Sequence, residues 1–368
     1  MTPNITLVHE RFTEVAGSEH VVEQLSVQWP AAPVHVALAR PSGVPAGLNP
    51  PETTWLDHLY RLLGRRTYAP LTPLMPSAFR GMRLDGADVV VISHHAFATQ
   101  AAFATSAPTV AYVHSPARWA WETSMRSGEG GGRLGASALR ALASAARRDE
   151  LAAAPRLTAI VANSTAVADR IRRWWDRDAV VVHPPVDTEA FTPDPGLPRE
   201  DFFLLAGRLV PYKRPDVAIR AANLAGAPLV VVGDGRSADL CRKLAGPTVR
   251  FAGRVPHADL LDLQRRARAL LMPGVEDFGI VPVEAMACGT PVIALGAGGV
   301  LDTVLPGVTG QFVAASASDE SVVESFATAL SEFEDADYDR VRIRRHAEGF
   351  SRPIFRRRMQ EVVDGVLG

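Results

Sequence analysis

The sequence contains little cysteine, no excess of either charge and no long uninterrupted apolar run. Its 368 residues include 2 cysteines, Cys241 and Cys288, which lie far apart and lack the spacing of metal ligands. This usage is typical of a reducing compartment and excludes a disulfide framework. The formal net charge is -1. Any anion site must therefore be local, and nucleic-acid binding is not expected.

The apolar segments are too short or too often interrupted to cross a membrane. Residues 5–8 are the length of a strand and are followed at once by His9, Glu10 and Arg11, so no signal peptide is predicted. Residues 89–117 lack Asp, Glu, Lys and Arg, but histidines and prolines interrupt them, and we interpret them as strand, helix and strand. A cytoplasmic protein is expected.

Short apolar runs alternate with helical stretches along the whole chain. The runs lie at 5–8, 89–92, 110–113, 159–162, 179–182, 203–206, 229–232, 249–252 and 292–295. This rhythm predicts βα units and buried parallel sheets, hence an α/β protein. The length and the 47% of apolar residues are sufficient for two domains. Ligands of such sheets bind at the carboxyl ends of the strands.

A proline-rich stretch at 184–200 interrupts this rhythm and is predicted to be the linker between the domains. The first domain is then 1–183 and the second is 201–351. Apolar spacing in 352–368 predicts a final helix. A glycine-rich stretch at 128–132 predicts a loop.

The most informative segment runs from 273 to 291. An apolar run precedes it, Pro282 stands where the first turn of a helix accepts proline, and Gly289 ends that helix. The N–H groups of residues 278–281 and the positive end of the helix dipole favour an anion, such as a diphosphate. Glu276 and Glu284 are placed to accept hydrogen bonds from hydroxyl groups of the same ligand. The alternative is a surface loop with solvated acids.

A basic cluster follows the earlier apolar run 203–206. Arg208 can grip a phosphate with its planar guanidinium, and Lys213 can act as a second positive charge on the same group. Arg214 is interpreted as a surface residue. The alternative for the cluster is a basic turn that solvent covers.

These motifs resemble those of the retaining glycosyltransferases of family 4. The matching segments are 207–208 with Lys213, 233–235, 251–255, and the pair Glu276 and Glu284, which fits the family's signature of two glutamates separated by seven residues. The resemblance extends over nearly the whole chain. It implies the GT-B architecture, in which two Rossmann-like domains face each other across a donor and acceptor cleft. The helix at 352–368 would cross back to the first domain.

Further segments resemble a narrower group, the mannosyltransferases that build bacterial surface polysaccharides from GDP-mannose. These segments are 112–122, 183–187 and 276–282. The sequence departs from that group at Ser115, at Glu122 and in the glycine loop 16–19. The resemblance implies transfer of a hexose, mannose in the first place, to a lipid-linked or oligosaccharide acceptor. The alternatives are a UDP-sugar-dependent enzyme of the same fold, a sugar-nucleotide epimerase and a non-catalytic sugar-nucleotide-binding protein.

The resemblance also assigns roles to individual residues. Arg208 and Lys213 would stabilise the departing diphosphate, Glu276 and His114 would contact the transferred sugar, and Glu284 would hold the ribose. The other donor-binding residues are Gly17, Ser18, Gly207, Gly233, Arg254, Val255, Asp277, Phe278, Gly279, Ile280 and Val281. Arg118 and Asn163 are assigned to the acceptor.

Three further expectations concern metals, histidines and membranes. The acids at 335–339 lie in a hydrophilic run, so no metal and no cofactor besides the sugar nucleotide is predicted. His94 and His95 are interpreted as surface residues. Between residues 60 and 83, arginines alternate with Leu, Tyr, Phe and Met. This segment fits either the anionic inner face of the plasma membrane or a basic face packed partly on the core.

Overall fold

The structure, a computed structural model, describes residues 3–126 and 132–368. Residues 128–131 of the predicted glycine-rich loop lie outside these ranges. The chain forms two compact units, Met1–Pro185 with Pro353–Gly368, and Val186–Arg352. Each unit contains a parallel sheet flanked by helices, which confirms the predicted α/β class with two Rossmann-like domains.

The first unit is built on seven strands within its described residues. The strands are β1 (Ile5–His9), β2 (Val34–Val36), β3 (Glu52–Thr53), β4 (Val89–His94), β5 (Thr109–Val113), β6 (Ala159–Ala162) and β7 (Val180–Val181). They are parallel and lie in the order β3-β2-β1-β4-β5-β6-β7. The central strands β1, β4 and β5 are buried along their whole length, as expected for apolar runs covered on both faces.

Helices cover this sheet. They are α1 (Gly17–Gln28), α2 (Trp55–Leu62), α3 (Met75–Arg80), α4 (Arg118–Trp121), α5 (Gly132–Ala153) and α6 (Thr165–Trp175). Ser164 caps α6, because its side chain accepts a hydrogen bond from the Val167 N–H.

The second unit contains six strands within its described residues. They are β8 (Phe203–Ala206), β9 (Leu229–Val232), β10 (Val249–Gly253), β11 (Leu270–Met272), β12 (Val292–Leu295) and β13 (Gly310–Val313). The sheet is parallel, in the order β10-β9-β8-β11-β12-β13. Its helices are α7 (Pro215–Ala225), α8 (Ala238–Leu244), α9 (His257–Arg266), α10 (Ile280–Ala287), α11 (Val300–Thr303), α12 (Asp319–Ser331) and α13 (Arg340–Ala347).

The final helix, α14 (Arg352–Leu367), packs on the first unit. Phe355, Met359 and Val363 recur every four residues and are buried in the core of that unit. The Phe355 ring meets the edge of Tyr112, with centroids 5.6 Å apart. The predicted return of this helix to the first domain is confirmed.

The proline-rich stretch predicted as a linker, 184–200, is mostly part of the second unit, which begins at Val186. Val186 and Phe191 are buried in its hydrophobic core, and Val186 forms a parallel bridge with Ser351. Apolar side chains between the prolines anchor this segment, which the proline count alone did not reveal. No helix within the described residues combines the length and the apolar character that a membrane span requires.

Candidate functional site

A pocket in the second unit lies between the loop after β8 and the loop before α10. Among the residues that line it are Gly207, Arg208, Lys213, Glu276 and Val281. Lys213 Nζ lies 2.5 Å from Glu276 Oε1, and these side chains are 20% and 18% exposed. The structure therefore brings together the basic cluster and the first glutamate that the sequence singled out.

Glycine allows the two loops to touch. A Cβ atom on Gly274 would lie 2.5 Å from Lys213 Cα and 2.7 Å from the Tyr212 carbonyl oxygen. No larger residue fits without moving one of the loops. The close approach at Gly274 thus sets the position of Lys213 against Glu276.

Helix α10 begins at this pocket. Gly279 precedes it with φ +90°, a conformation that favours glycine, and Pro282 lies in the first turn. Among the described residues, the N–H groups of Ile280 and Val281 have no hydrogen-bond partner, as is usual at the start of a helix. These donors and the helix dipole suit an anionic ligand.

Glu284 lies one turn into α10 and is partly buried. Burial, and after it the Asp187 carboxylate, raise the pKa of its carboxyl to about 7, although the Lys213 ammonium opposes both. Asp187 itself pairs with Arg352 at 2.9 Å. Glu284 thus shares an electrostatic environment with Lys213, and its charge changes near neutral pH.

The other residues assigned to the donor have different surroundings. The Gly233 N–H donates to the Gly253 carbonyl at 2.7 Å, and Gly233 is packed against Gly207. The Arg254 side chain is 83% exposed and lies 4.0 Å from Asp234. Val255 packs against the core. Neither Arg254 nor Val255 lines the pocket among the described residues.

Phe278 and Asp277, in the loop before α10, differ in how far their side chains are buried. Phe278 is 3% exposed, and its ring packs on Phe350 with centroids 5.8 Å apart. Its side chain therefore belongs to the core, and its backbone is what can face a ligand. Asp277 is partly buried.

In the first unit, the assigned residues follow the carboxyl ends of neighbouring strands. His114 follows β5 and Asn163 follows β6, while Gly17 and Ser18 open α1. His114 Nε2 lies 2.9 Å from Ser93 Oγ. Burial above all, with repulsion between protons on His9 and His114 second, lowers the pKa of the His114 imidazole to about 3, although the Glu19 carboxylate opposes both effects. His114 is therefore neutral near pH 7.

Arg118 and Asn163 are not equivalent candidates. Arg118 forms an ion pair with Glu122 at 3.1 Å. Asn163 is 6% exposed, and its Oδ1 has no hydrogen-bond partner within the described part of the chain.

Sequence reasoning missed a group of residues beside His114, namely the buried His9, Glu19 and Ser93 and the partly buried His95. The His95 ring stacks on that of His114, with centroids 4.6 Å apart. Glu19 accepts from the Ala16 N–H at 3.0 Å and from the Ser18 hydroxyl at 2.9 Å. The signal available in the sequence was a glutamate at the third position of a helix, where it caps the N-terminus.

The surface interpretation of His94 and His95 is wrong. His94 is fully buried, and its Nε2 lies 3.1 Å from Glu150 Oε1. His95 is partly buried. Glu150 also accepts from the indole N–H groups of Trp121 and Trp175, so this histidine belongs to a buried polar network.

Two groups of residues bear on metal binding. His9, Glu19 and His95 offer ligand atoms within 4.8 Å of one another, but His9 and Glu19 already contact each other at 3.3 Å. Asp335 is paired with Arg199 and Arg268. Independence from metals stays a prediction.

Two protein-family models match this chain. The model described as Glycosyltransferase Family 4 matches residues 15–190, and the model described as Glycosyl transferases group 1 matches residues 187–346. The chain therefore carries a Glycosyltransferase Family 4 domain followed by a Glycosyl transferases group 1 domain. The two matched ranges overlap in sequence at residues 187–190, close to the boundary between the two units at residues 185–186.

Curated relatives match part of these glycosyltransferase domains. The D-inositol 3-phosphate glycosyltransferase 1 of Catenulispora acidiphila is 37% identical over 195 residues, 44% of this chain and 46% of the relative. The D-inositol 3-phosphate glycosyltransferase of Kribbella flavida is 37% identical over 180 residues, 41% of each protein. The chain thus spans less than half the length of these relatives.

Solved structures confirm the GT-B fold of the glycosyltransferase domains. Anabaena HepE in complex with UDP and glucose has a TM-score of 0.70 at 18% identity, over 99% of this chain and 100% of that one. Sucrose-phosphate synthase from Thermosynechococcus elongatus has a TM-score of 0.73 at 18% identity, over 99% of both chains.

Proposed function

We propose that the protein is a retaining glycosyltransferase that moves a hexose from a sugar nucleotide to a hydroxyl group of an acceptor. The first candidate donor is GDP-mannose, and the first candidate acceptor is a lipid-linked or oligosaccharide glycan of surface polysaccharide or glycolipid synthesis. The observation that carries the proposal is the pocket where Lys213, Glu276 and the first turn of α10 meet.

The chemistry follows from where charge develops. As the bond from the sugar to the diphosphate breaks, negative charge grows on the phosphate oxygens. Lys213, Arg208 and the N–H groups of Ile280 and Val281 supply fixed positive charge and donors that lower this barrier. The departing phosphate takes the proton of the attacking hydroxyl, which adds to the face that the diphosphate leaves. Configuration is thereby retained without a protein nucleophile.

The remaining residues orient the donor. Glu276 accepts hydrogen bonds from sugar hydroxyls once Lys213 turns toward the phosphate. Glu284 holds the ribose when it is ionised, because a carboxylate accepts from two neighbouring hydroxyl groups. His114 contacts the transferred sugar. Arg118 and Asn163 are proposed for the acceptor, and exclusion of water protects the donor from hydrolysis.

A UDP-sugar is the second candidate donor. HepE, which has the same fold, is described in complexes with UDP and with UDP-glucose. The names of the curated relatives also make a phosphorylated inositol a second candidate acceptor.

The donor is tested by thermal stabilisation with GDP, UDP and ADP, followed by GDP-mannose and UDP-glucose. Selective stabilisation by GDP and GDP-mannose, lost in Glu284→Ala, supports the mannosyl donor. Preference for UDP selects the second candidate, and no response to any nucleotide contradicts a sugar-nucleotide site. Turnover with an acceptor must then yield a glycoside, because an epimerase releases free sugar and a binding protein releases nothing.

Peripheral attachment to an anionic membrane is part of the proposal. Trp55, Leu62, Leu63 and Leu74 are 39–71% exposed, and Arg61 and Arg66 are exposed beside them. Such a surface suits insertion of apolar side chains with arginines at the lipid phosphates.

Flotation with phosphatidylserine vesicles tests this attachment. It should recover the wild type and lose the double variant Arg61→Ala/Arg66→Ala. Arg357→Ala, at a 67% exposed arginine of α14, is the control, and wild-type protein that stays with the unbound fraction contradicts attachment.

A further inference from the structure

Three buried residues connect the start of α1 to His114. Glu19 Oε1 lies 3.3 Å from His9 Nε2, His9 Nδ1 lies 3.0 Å from Ser93 Oγ, and Ser93 Oγ lies 2.9 Å from His114 Nε2. His9, Ser93 and Glu19 are 0%, 1% and 6% exposed. We propose that Glu19, His9 and Ser93 are positioning residues that fix the tautomer of His114 and leave its Nδ1 as a hydrogen-bond acceptor.

The direction of the hydrogen bonds follows from Glu19. Burial raises the pKa of this carboxyl, but the hydrogen bonds that it accepts, the one from His9 above all, lower it to about 2. The ionised carboxylate can only accept, so the proton between the two residues belongs to His9 Nε2. In a neutral His9, Nδ1 is then an acceptor and takes the single hydroxyl proton of Ser93. The Ser93 oxygen is left to accept the N–H of His114 Nε2.

This arrangement determines the protonation state of the other ring nitrogen of His114, Nδ1. Within the described residues, His114 Nδ1 has no hydrogen-bond partner, and in a ring protonated at Nε2 it carries a lone pair. It can therefore accept from a hydroxyl group of the transferred sugar. This last step rests on the proposed function, whereas the tautomer itself does not.

The same order of carboxylate, imidazole and hydroxyl activates the serine of many hydrolases, where the resting imidazole is neutral. Here the hydroxyl cannot serve as a nucleophile, because Ser93 is 1% exposed and lies between two imidazole rings. A second proton on His9 would leave its hydrogen bond to Glu19 in place, reverse the two hydrogen bonds of Ser93 and place a proton on His114 Nδ1. A metal ion on His9, Glu19 and His95 would instead need a bare Nε2 on His9.

Nitrogen NMR on protein labelled with imidazole-15N histidine, without any substrate, distinguishes three states of His9: the neutral ring, the doubly protonated ring and the ring bound to a metal ion. His114 is assigned by the signals missing in His114→Gln. The expected spectrum shows His114 and His9 as neutral rings, each protonated at Nε2. Protonation of His114 at Nδ1, or a shift of His9 Nε2 on adding Zn²⁺, overturns the proposal. The wild-type spectrum is decisive even if a variant fails to fold.

Ser93→Ala tests the connection. It should leave His114 as a mixture of tautomers and lower kcat/KM for glycosyl transfer by roughly 3- to 10-fold, the effect of one lost hydrogen bond. Ser26→Ala is the control, because the Ser26 hydroxyl is buried in α1 without a hydrogen-bond partner in the described chain. An unchanged His114 tautomer in Ser93→Ala would show that Ser93 does not fix it and would overturn the proposal. Absence of glycosyl transfer in the wild type would refute the proposed function and leave the NMR result standing.

Discussion

At the scale of single residues, Lys213 and Arg214 are adjacent cations with different surroundings. Lys213 pairs with Glu276 at the pocket, while Arg214 pairs with Asp216 and Asp319. We expect Lys213→Ala to lower kcat/KM by about 10²- to 10³-fold, because the developing phosphate charge loses a fixed donor. Arg214→Ala should change it little. Equal losses in steady-state assays of the two variants would contradict the role given to Lys213.

Glu284 makes stability depend on pH. Its folded-state pKa of about 7 lies above the ordinary value of 4.5, so the folded protein holds a proton that the unfolded chain releases between these values. The free energy of unfolding should therefore fall as pH rises from 4.5 to 7. We expect Glu284→Gln to remove roughly 1 to 3 kcal/mol of this fall, since solvent screens a partly exposed group.

Urea unfolding at pH 5 and pH 8 measures this effect. The difference between the two pH values should be smaller in Glu284→Gln than in the wild type. An identical difference in both proteins would mean that Glu284 ionises normally.

At the scale of elements, the contact between the loops at 211–213 and 273–276 holds the donor pocket together. Gly274→Ala places a methyl group 2.5 Å from Lys213 Cα. We expect a loss of roughly 1 to 3 kcal/mol in the free energy of unfolding, and weaker stabilisation by nucleotides. Gly349→Ala, where a methyl group meets nothing within 4 Å, is the matched control for thermal unfolding. A Gly274→Ala variant that behaves like Gly349→Ala would show that the loops are free to separate.

How much of these elements the sequence predicts depends on whether the determinants are local. The strand at Leu229–Val232 and the helix with Gly279 before it and Gly289 after it were predictable, because apolar runs, proline and glycine act within a few residues. The short strands Val34–Val36 and Glu52–Thr53 were not predicted. They contain too few residues for a recognisable pattern, and pairing with a neighbouring strand defines them.

The hydrogen-bonded series that joins Glu19, His9 and Ser93 to His114 could not be predicted from local sequence patterns. His9 and Ser93 are register partners on β1 and β4, and the strand order then places β5 next to β4. Those neighbours are set by topology over more than 80 residues of chain. The donor pocket was easier to anticipate, because Glu276 and Glu284 share one loop and one helix.

At the scale of the whole molecule, the two units are not two consecutive halves of the chain, because the first unit combines the beginning and the end of the sequence. The first unit needs the last helix, since Phe355, Met359 and Val363 complete its core. The side chains of Gln28, the last residue of α1, and of Trp29, which follows it, also donate to Gln360 Oε1, each at 2.9 Å. Residues more than 300 positions apart thus stabilise one unit, while the second unit is continuous in sequence.

This arrangement predicts where a defect in α14 will appear. Met359 is fully buried in the core of the first unit, so Met359→Ala should cost about 2 to 5 kcal/mol of unfolding free energy. Hydrogen exchange followed by mass spectrometry should accelerate in β1 and β5 and stay unchanged in β8, β9 and β12. Arg358→Ala changes an exposed neighbour on the same helix and should leave both units unaffected. Faster exchange in β8, β9 and β12 would contradict this prediction. It would mean that α14 stabilises the second unit as much as the first, although its buried side chains lie in the core of the first unit.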